Sequence, residues 1–306
     1  MSILVTGGSG MVGKALQKIL PDAAYISRND ADLRNPDETS KIFKEIRPSQ
    51  VIHLAASVGG VKANAKHNIQ FFTDNLRIDT NVLQTATTNK IERLLAILSG
   101  CSYAFYDNSP TFEEDLHKGL PFEGNLGYGY AKRVLDVHCQ LINKQHRFDY
   151  GTVTPVTMFG PHDNFDLEKG HVIGALIHKC LLAKETSGTF TVWGDGNAVR
   201  QFVYVDDVAR VLVNLLDYKK TASAIIAPDT GISVSTLVNK IAKIVDFEGP
   251  IQYDHSQPVG LQKKILQSRS FSEIFPGFEF TPIDESLTAT IKWFRESFNK
   301  NITRNN

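Results

Sequence analysis

The chain has 306 residues, 42% of them hydrophobic and 22% charged, proportions that exclude a disordered tail or a fibre and leave room for about two domains of roughly 150 residues. Lys and Arg number 33, as do Asp and Glu, so the formal net charge is zero, and without a basic surplus neither nucleic acid nor an anionic membrane is expected as a partner. No apolar run approaches the roughly 18 residues that span a bilayer. Cys101, Cys139 and Cys180 fit neither a disulfide framework nor a CxxC metal site, so a reduced, cytoplasmic protein without a metal is expected.

The first strand-length apolar run, Ile3-Leu4-Val5, leads into Gly7-Gly8-Ser9-Gly10-Met11-Val12-Gly13 and a helix-like segment at about 11–20. Glycines placed between a strand and a helix permit a tight turn. They also let backbone N–H groups approach a pyrophosphate at the positive helix end. The second run, Ala24-Tyr25-Ile26, ends at Ser27-Arg28-Asn29. An acidic residue there would bind a ribose 2′-OH, whereas an Arg accommodates a 2′-phosphate. Arg28 takes that place and favours NADP, with Asp30 close behind it and Asp32-Leu33 set to approach the adenine edge.

Helix-like segments at about 36–47 and 67–89 separate two more apolar runs, Val51-Ile52-His53-Leu54 and Leu94–Leu98. Continuous apolar strands alternating with amphipathic helices predict a Rossmann-type, doubly wound parallel sheet. Ser99 sits just past the fourth strand, where a strand's carboxyl end faces the ligand crevice. Leu126 to His146 has helical spacing and carries Tyr128-Gly129-Tyr130-Ala131-Lys132. Tyr128 and Lys132 are one turn apart and share a face, so a cationic Lys132 is expected to lower the phenol pKa and fit it for proton transfer.

A strand at about 150–154 runs into Pro155-Val156-Thr157-Met158, after which the pattern loosens. A helix at about 170–184 precedes Phe190-Thr191-Val192-Trp193, and Asp206-Asp207 is expected to cap a helix reaching about Leu216. Helices at about 233–246 and 284–299 follow. The expected organisation is a dinucleotide-binding domain over 1–160 and a smaller α/β substrate domain over 161–306, with segments crossing back into the first.

Several runs together carry a family likeness. They are the glycine loop, Val51–Ala56, Val58-Gly59-Gly60, Tyr128–Arg133, Gly160-Pro161-His162-Asp163-Asn164, Gly170-His171-Val172-Ile173, Val192-Trp193-Gly194-Asp195-Gly196 and Arg200-Gln201-Phe202. On these residues the chain resembles the extended short-chain dehydrogenase/reductase family, and within it the 3,5-epimerase/4-reductases of GDP-linked 4-keto-6-deoxy sugars. The resemblance implies conversion of GDP-4-keto-6-deoxy-D-mannose to GDP-L-fucose with NADPH. Ser99, Tyr128 and Lys132 would serve the reduction, with Cys101 as base and His171 as acid for the epimerisations. It further implies that Leu54, Ala55, Ala56, Pro155, Thr157, Met158 and His171 line the cofactor. Lys179, Trp193 and Arg200 would hold the nucleotide diphosphate, and a homodimer would form through 67–89 and 126–146.

Three places depart from the family pattern. Gly100 stands where Ser or Thr is usual, Pro155-Val156-Thr157 replaces Pro-Thr-Asn, and Val259 replaces a substrate-contacting Asp. The catalytic set remains whole, so these changes bear on the sugar. The alternatives are an epimerase/reductase of another nucleotide-linked 4-keto sugar, such as a dideoxyhexose or deoxyheptose, or a C4 reductase alone.

Overall fold

The apolar runs of the first half fold as strands that alternate with helices. In order they are β1 (Ile3–Thr6), α1 (Met11–Ile19), β2 (Ala24–Ile26), α2 (Pro36–Ile46), β3 (Gln50–His53), a short α3 (Val61–Lys66), α4 (Asn68–Thr88), β4 (Arg93–Ile97), α5 (Leu126–His146) and β5 (Asp149–Pro155). The computed structural model describes residues 2–105, 111–167, 170–218, 223–257 and 261–298. The expected departure at Val259 therefore lies outside the described residues.

Beyond β5 come β6 (Thr157–Phe159), α6 (Val172–Glu185), β7 (Phe190–Trp193), β8 (Val199–Arg200), β9 (Phe202–Tyr204), α7 (Val205–Leu216) and β10 (Ser223–Ile226). The last stretch holds β11 (Ile232–Ser233), α8 (Val234–Val245), β12 (Ile251–Asp254), β13 (Lys263–Lys264), α9 (Ser270–Ile274) and α10 (Ile283–Phe298). The six strands of the main sheet run in the order β10-β5-β4-β3-β1-β2, and every neighbouring pair is parallel. Because β1 leads outward to β2 while β3 turns the other way, the chain reverses direction between β1 and β3. A crevice opens at such a switch point, beyond the carboxyl ends of the strands.

Helices cover both faces, with α1 packed on α7 and α4 on α2 and α5. Leu4, Val5, Val51, Ile52, Leu94 and Leu95 are accordingly fully buried, each stabilising the sheet by roughly 1.5–3 kcal/mol. This two-sided burial is why these strands read as unbroken apolar runs. A second core gathers Ile173, Ile177 and Cys180 of α6 with Phe190, Val192, Leu237, Ile241, Leu287 and Ile291. The two cores interleave along the chain: Phe159 belongs to the second, whereas Val203, Val208, Ile225 and Leu266 belong to the first.

One local expectation needs correction. Asp206 and Asp207 do not cap α7; Tyr204 is its N-cap residue and both acids lie inside the first turn. There their charge complements the positive helix end, and Asp207 also accepts hydrogen bonds from the Thr281 N–H (2.8 Å) and hydroxyl (2.7 Å). The segment ahead of α4 is also helical, because α3 forms a separate turn interrupted at His67.

Candidate active site

The glycine loop leaves β1 and packs against the chain leaving β3. Gly7 has φ +72°, and a Cβ there would lie 2.9 Å from the Ala55 backbone nitrogen. At Gly13 a Cβ would come within 2.6 Å of the Gly8 carbonyl oxygen, so the first turn of α1 closes directly onto the loop. Gly10 is the extended N-cap residue of that helix and has no side chain to cap it. Ser9, Met11 and Val12 complete the turn around the exposed N–H groups, while Leu54, Ala55 and Ala56 follow β3 and are partly exposed. A loop that only glycine can form, at a helix N-terminus in the sheet crevice, fits a dinucleotide pyrophosphate.

At the end of β2 the acids are already engaged. Asp30 accepts from the Ser27 N–H (2.7 Å) and hydroxyl (2.8 Å). Asp32 is gripped by Arg34 at 2.6 Å, which holds its carboxyl down to about 2. Arg34 in turn reaches Asp74 at 3.2 Å. Arg28 is left with a side chain that is 75% exposed, at 3.8 Å from Asp32. Its guanidinium therefore faces solvent at the end of β2. Leu33 is buried in the sheet core, and its carbonyl accepts from Asn81 (2.9 Å); the structure does not turn its side chain toward the crevice.

Ser99, Tyr128 and Lys132 do come together. Ser99 follows β4 and caps a short turn over Gly100–Ser102, its Oγ accepting the Cys101 N–H at 3.2 Å. Tyr128 hydrogen-bonds Ser99, and Lys132 is buried one turn further along α5, its Nζ 3.5 Å from Asp79. Contrary to the sequence expectation, the phenol lies above its ordinary value. Burial raises it, and the negative groups at Cys101 and Asp79 add to that, with the Ser99 hydrogen bond opposing. A phenol that keeps its proton at neutral pH is suited to donate it.

Cys101 and His171 form a second set with opposite tuning. Burial pushes the Cys101 thiol up, but the Lys264 ammonium and hydrogen bonds from Ser99, Lys264 and Asn125 outweigh it and bring the thiol below its ordinary value. Lys264 Nζ lies 3.7 Å and Asn125 Nδ2 3.2 Å from Sγ. His171, the N-cap residue of α6, shares its Nδ1 with Asp163 at 2.9 Å. That hydrogen bond, aided by the charges of Asp163 and Cys101, raises the imidazole against the opposing effect of burial. The thiol is brought down and the imidazole up, the directions in which an environment suits one group to act as base and the other as acid.

Lys264, Asn125 and Asp163 were not singled out from the sequence. Lys264 is 163 residues from Cys101 along the chain and lies in a Lys-Lys pair with no motif around it. It reaches the site because β13 pairs with β8, placing Lys264 beside Arg200. Asn125 immediately precedes α5, and its position three residues before Tyr128 was a usable signal. Asp163 stands inside the Gly-Pro-His-Asp-Asn run.

The remaining predicted residues are distributed around these sets. Pro155 ends β5 and is buried, while Thr157 and Met158 open β6 and are partly exposed. Lys179 of α6 places its ammonium 4.2 Å from the centre of the Trp193 ring on β7, a cation–π pair. Arg200 directs its guanidinium to the Val199 carbonyl (2.8 Å) and to the backbone at 261–262.

Residues 3–226 match the NAD dependent epimerase/dehydratase family. The chain is 33% identical to the GDP-L-fucose synthase of Dictyostelium discoideum, over 97% of this chain and 96% of that protein. It is 30% identical to the GDP-L-colitose synthase of Yersinia pseudotuberculosis, over 96% of this chain and 98% of the other. The crystal structure of a GDP-L-fucose synthetase from Naegleria fowleri bound to NADP superposes with a TM-score of 0.90 at 32% identity, covering 97% of this chain and 95% of that one. The chain belongs to the NAD dependent epimerase/dehydratase family.

Proposed function

We propose that the protein is an NADPH-dependent 3,5-epimerase/4-reductase that converts GDP-4-keto-6-deoxy-D-mannose to GDP-L-fucose. The observation that carries this reading is the oppositely tuned Cys101–His171 pair beside Ser99, Tyr128 and Lys132. A simple C4 reductase has no use for such a pair. The relatives named GDP-L-fucose synthase and the NADP-bound neighbour support the substrate and the cofactor. The sheet unit serves the cofactor in this reading, and the unit built on α6, α8 and β7 serves the nucleotide sugar.

The ketone at C4 acidifies the C–H bonds at C3 and C5. The Cys101 thiolate takes one such proton, and the electron pair moves onto the C4 oxygen, where the Ser99 hydroxyl hydrogen-bonds it. His171 returns a proton to the opposite face, and proton exchange of both side chains with solvent resets the pair before the second centre inverts. NADPH, when bound, supplies the hydride that reduces C4. Tyr128 gives its proton to the C4 oxygen, and Ser99 holds that oxygen in place. Arg28 accounts for the 2′-phosphate, while Lys179, Trp193 and Arg200 hold the nucleotide diphosphate.

A second reading keeps the chemistry and changes the sugar. At Gly100, beside the thiol turn, a Cβ would make ordinary contact with Leu266 (3.4 Å) and Lys264 (3.8 Å), so the glycine leaves the turn smaller by that group. Together with the GDP-L-colitose synthase relative, this favours a ring lacking a hydroxyl over other substitutes. We also read the protein as a cytoplasmic homodimer. Val134, Val137 and Leu141 form an exposed apolar stripe on α5, and Phe72 of α4 is exposed as well; no helix among the described residues is long and apolar enough to cross a membrane. Light scattering that shows a monomer at micromolar concentration would remove the dimer.

The test is incubation with GDP-4-keto-6-deoxy-D-mannose and NADPH in deuterated water. The reading predicts loss of NADPH absorbance and deuterium at C3 and C5 of an L-fucose product. Hydride consumption without deuterium would leave a C4 reductase and reduce Cys101 and His171 to packing.

A further inference from the structure

Behind the reduction set lies a buried polar chain that the proposed chemistry does not use. Asp79 of α4 is 2% exposed and His53 of β3 is 1% exposed, in the middle of an apolar sheet-to-helix layer. Thr6 Oγ1 accepts the backbone N–H groups of Leu54 and Ala55, both at 3.2 Å. Its own proton therefore goes to His53 Nδ1, 2.8 Å away. That fixes the tautomer: Nε2 carries the ring proton and donates it to Asp79 Oδ1 at 3.0 Å. Lys132 Nζ stands 3.5 Å from the same oxygen, and Asp79 Oδ2 has no hydrogen-bond partner among the described residues.

Burial pushes the His53 imidazole down, so the ring is a neutral donor and the lysine is the cation that balances the carboxylate. The other titratable groups facing Asp79 all come from α5: Tyr128, His138 and Cys139. A buried carboxylate is retained in such a layer only against a partner, since an unpaired one costs several kcal/mol. The chain Thr6–His53–Asp79–Lys132 begins under the glycine loop and ends at the helix that bears Tyr128.

We infer that Asp79, oriented by His53, is the buried counter-ion that positions Lys132 for the reduction half of the reaction. Asp79 and His53 are positioning residues: neither needs to touch the substrate. Asp79 holds the ammonium in place 3.5 Å from its carboxylate within a buried layer, and the inference rests on the reductase reading proposed above. Cys101 and His171 draw instead on Lys264, Asn125 and Asp163.

The experiment compares wild type, Asp79→Asn, Asp79→Glu and His53→Gln in deuterated water, reading NADPH oxidation and C3/C5 exchange separately. Asp79→Asn is expected to lose reduction about tenfold or more while exchange stays within about twofold. The basic limb of its reduction profile moves about one pH unit toward acid, because a buried ammonium without its counter-ion is disfavoured. Asp79→Glu restores most of the rate. His53→Gln, which keeps a donor to Asp79, loses only severalfold and serves if Asp79→Asn does not fold. Equal loss of reduction and exchange, or an unchanged rate and profile, overturns the inference. If wild type ignores the sugar, the functional reading fails instead, and NADPH binding across about pH 6.5–8.5 decides for Asp79. Affinity that weakens with pH more steeply in Asp79→Asn than in wild type upholds it; identical pH dependence overturns it.

Discussion

The reduction set and the epimerisation set are built in different ways. Ser99, Tyr128 and Lys132 hang on adjacent elements of one sheet core, with two of the three on a single turn of α5. The epimerisation set draws Cys101 from the end of β4, His171 from the start of α6 and Lys264 from β13. It therefore exists only where the two cores meet. The reduction chemistry is local in sequence and rigidly backed, whereas the epimerisation chemistry is assembled from three distant segments. Damage to one set should leave the other working, and each of the following experiments presses on that separation.

The largest effect is expected at Lys264. Lys264→Met removes the ammonium 3.7 Å from Sγ, so C3/C5 exchange should fall about tenfold to a hundredfold near neutral pH. The sign follows from the lowered thiol: without Lys264 burial prevails, the thiolate forms at higher pH, and the acid limb of exchange moves upward. Reduction of an already epimerised ketone should be nearly unchanged. An acid limb that stays in place would show that Lys264 does not act on the thiol.

Asp163→Asn comes next, at about threefold to tenfold. Asp163 holds the His171 imidazole above its ordinary value, so its loss lets the ring shed its proton at lower pH. The basic limb of exchange should then move toward acid while the reduction profile stays put. A shift in both profiles would mean that the two sets share this histidine.

Arg28→Ala touches the cofactor end only. NADPH affinity should weaken about tenfold with NADH affinity nearly unchanged, and exchange measured without NADPH should be unaffected. Equal losses for the two cofactors would break the 2′-phosphate assignment. The smallest effect is expected from Gly100→Ser, whose side chain has only ordinary contacts with Leu266 and Lys264 to meet. It should alter the preference among 4-keto sugars by severalfold without abolishing either half-reaction, and a competition assay between two sugars would read it.

The contrast between the two sets also explains what could be read in advance. The sheet was legible because burial on both faces leaves runs such as Val51-Ile52 and Leu94-Leu95 without polar interruption. The glycine loop was legible because its conformation and closeness to Ala55 exclude side chains. Tyr128 and Lys132 lie on one helical turn, so spacing alone pairs them. Lys264 and Arg200 meet through a two-residue strand pairing, which is too short to leave a periodic signal. Asp79 and His53 were hidden for the opposite reason: each is a single polar residue inside an otherwise apolar layer, and its partner is defined only by the fold. The direction of the Tyr128 shift was missed because burial, its largest cause, is set by packing that the Tyr128–Lys132 spacing does not show.

The most direct test sets Cys101→Ala beside Tyr128→Phe in one assay, in deuterated water with GDP-4-keto-6-deoxy-D-mannose and NADPH. Two separate sets in one site predict mirrored losses. Cys101→Ala should incorporate no deuterium at C3 or C5 yet still reduce a pre-epimerised ketone, and Tyr128→Phe should exchange both positions while consuming almost no NADPH. Variants that each lose both activities to the same extent would contradict that separation.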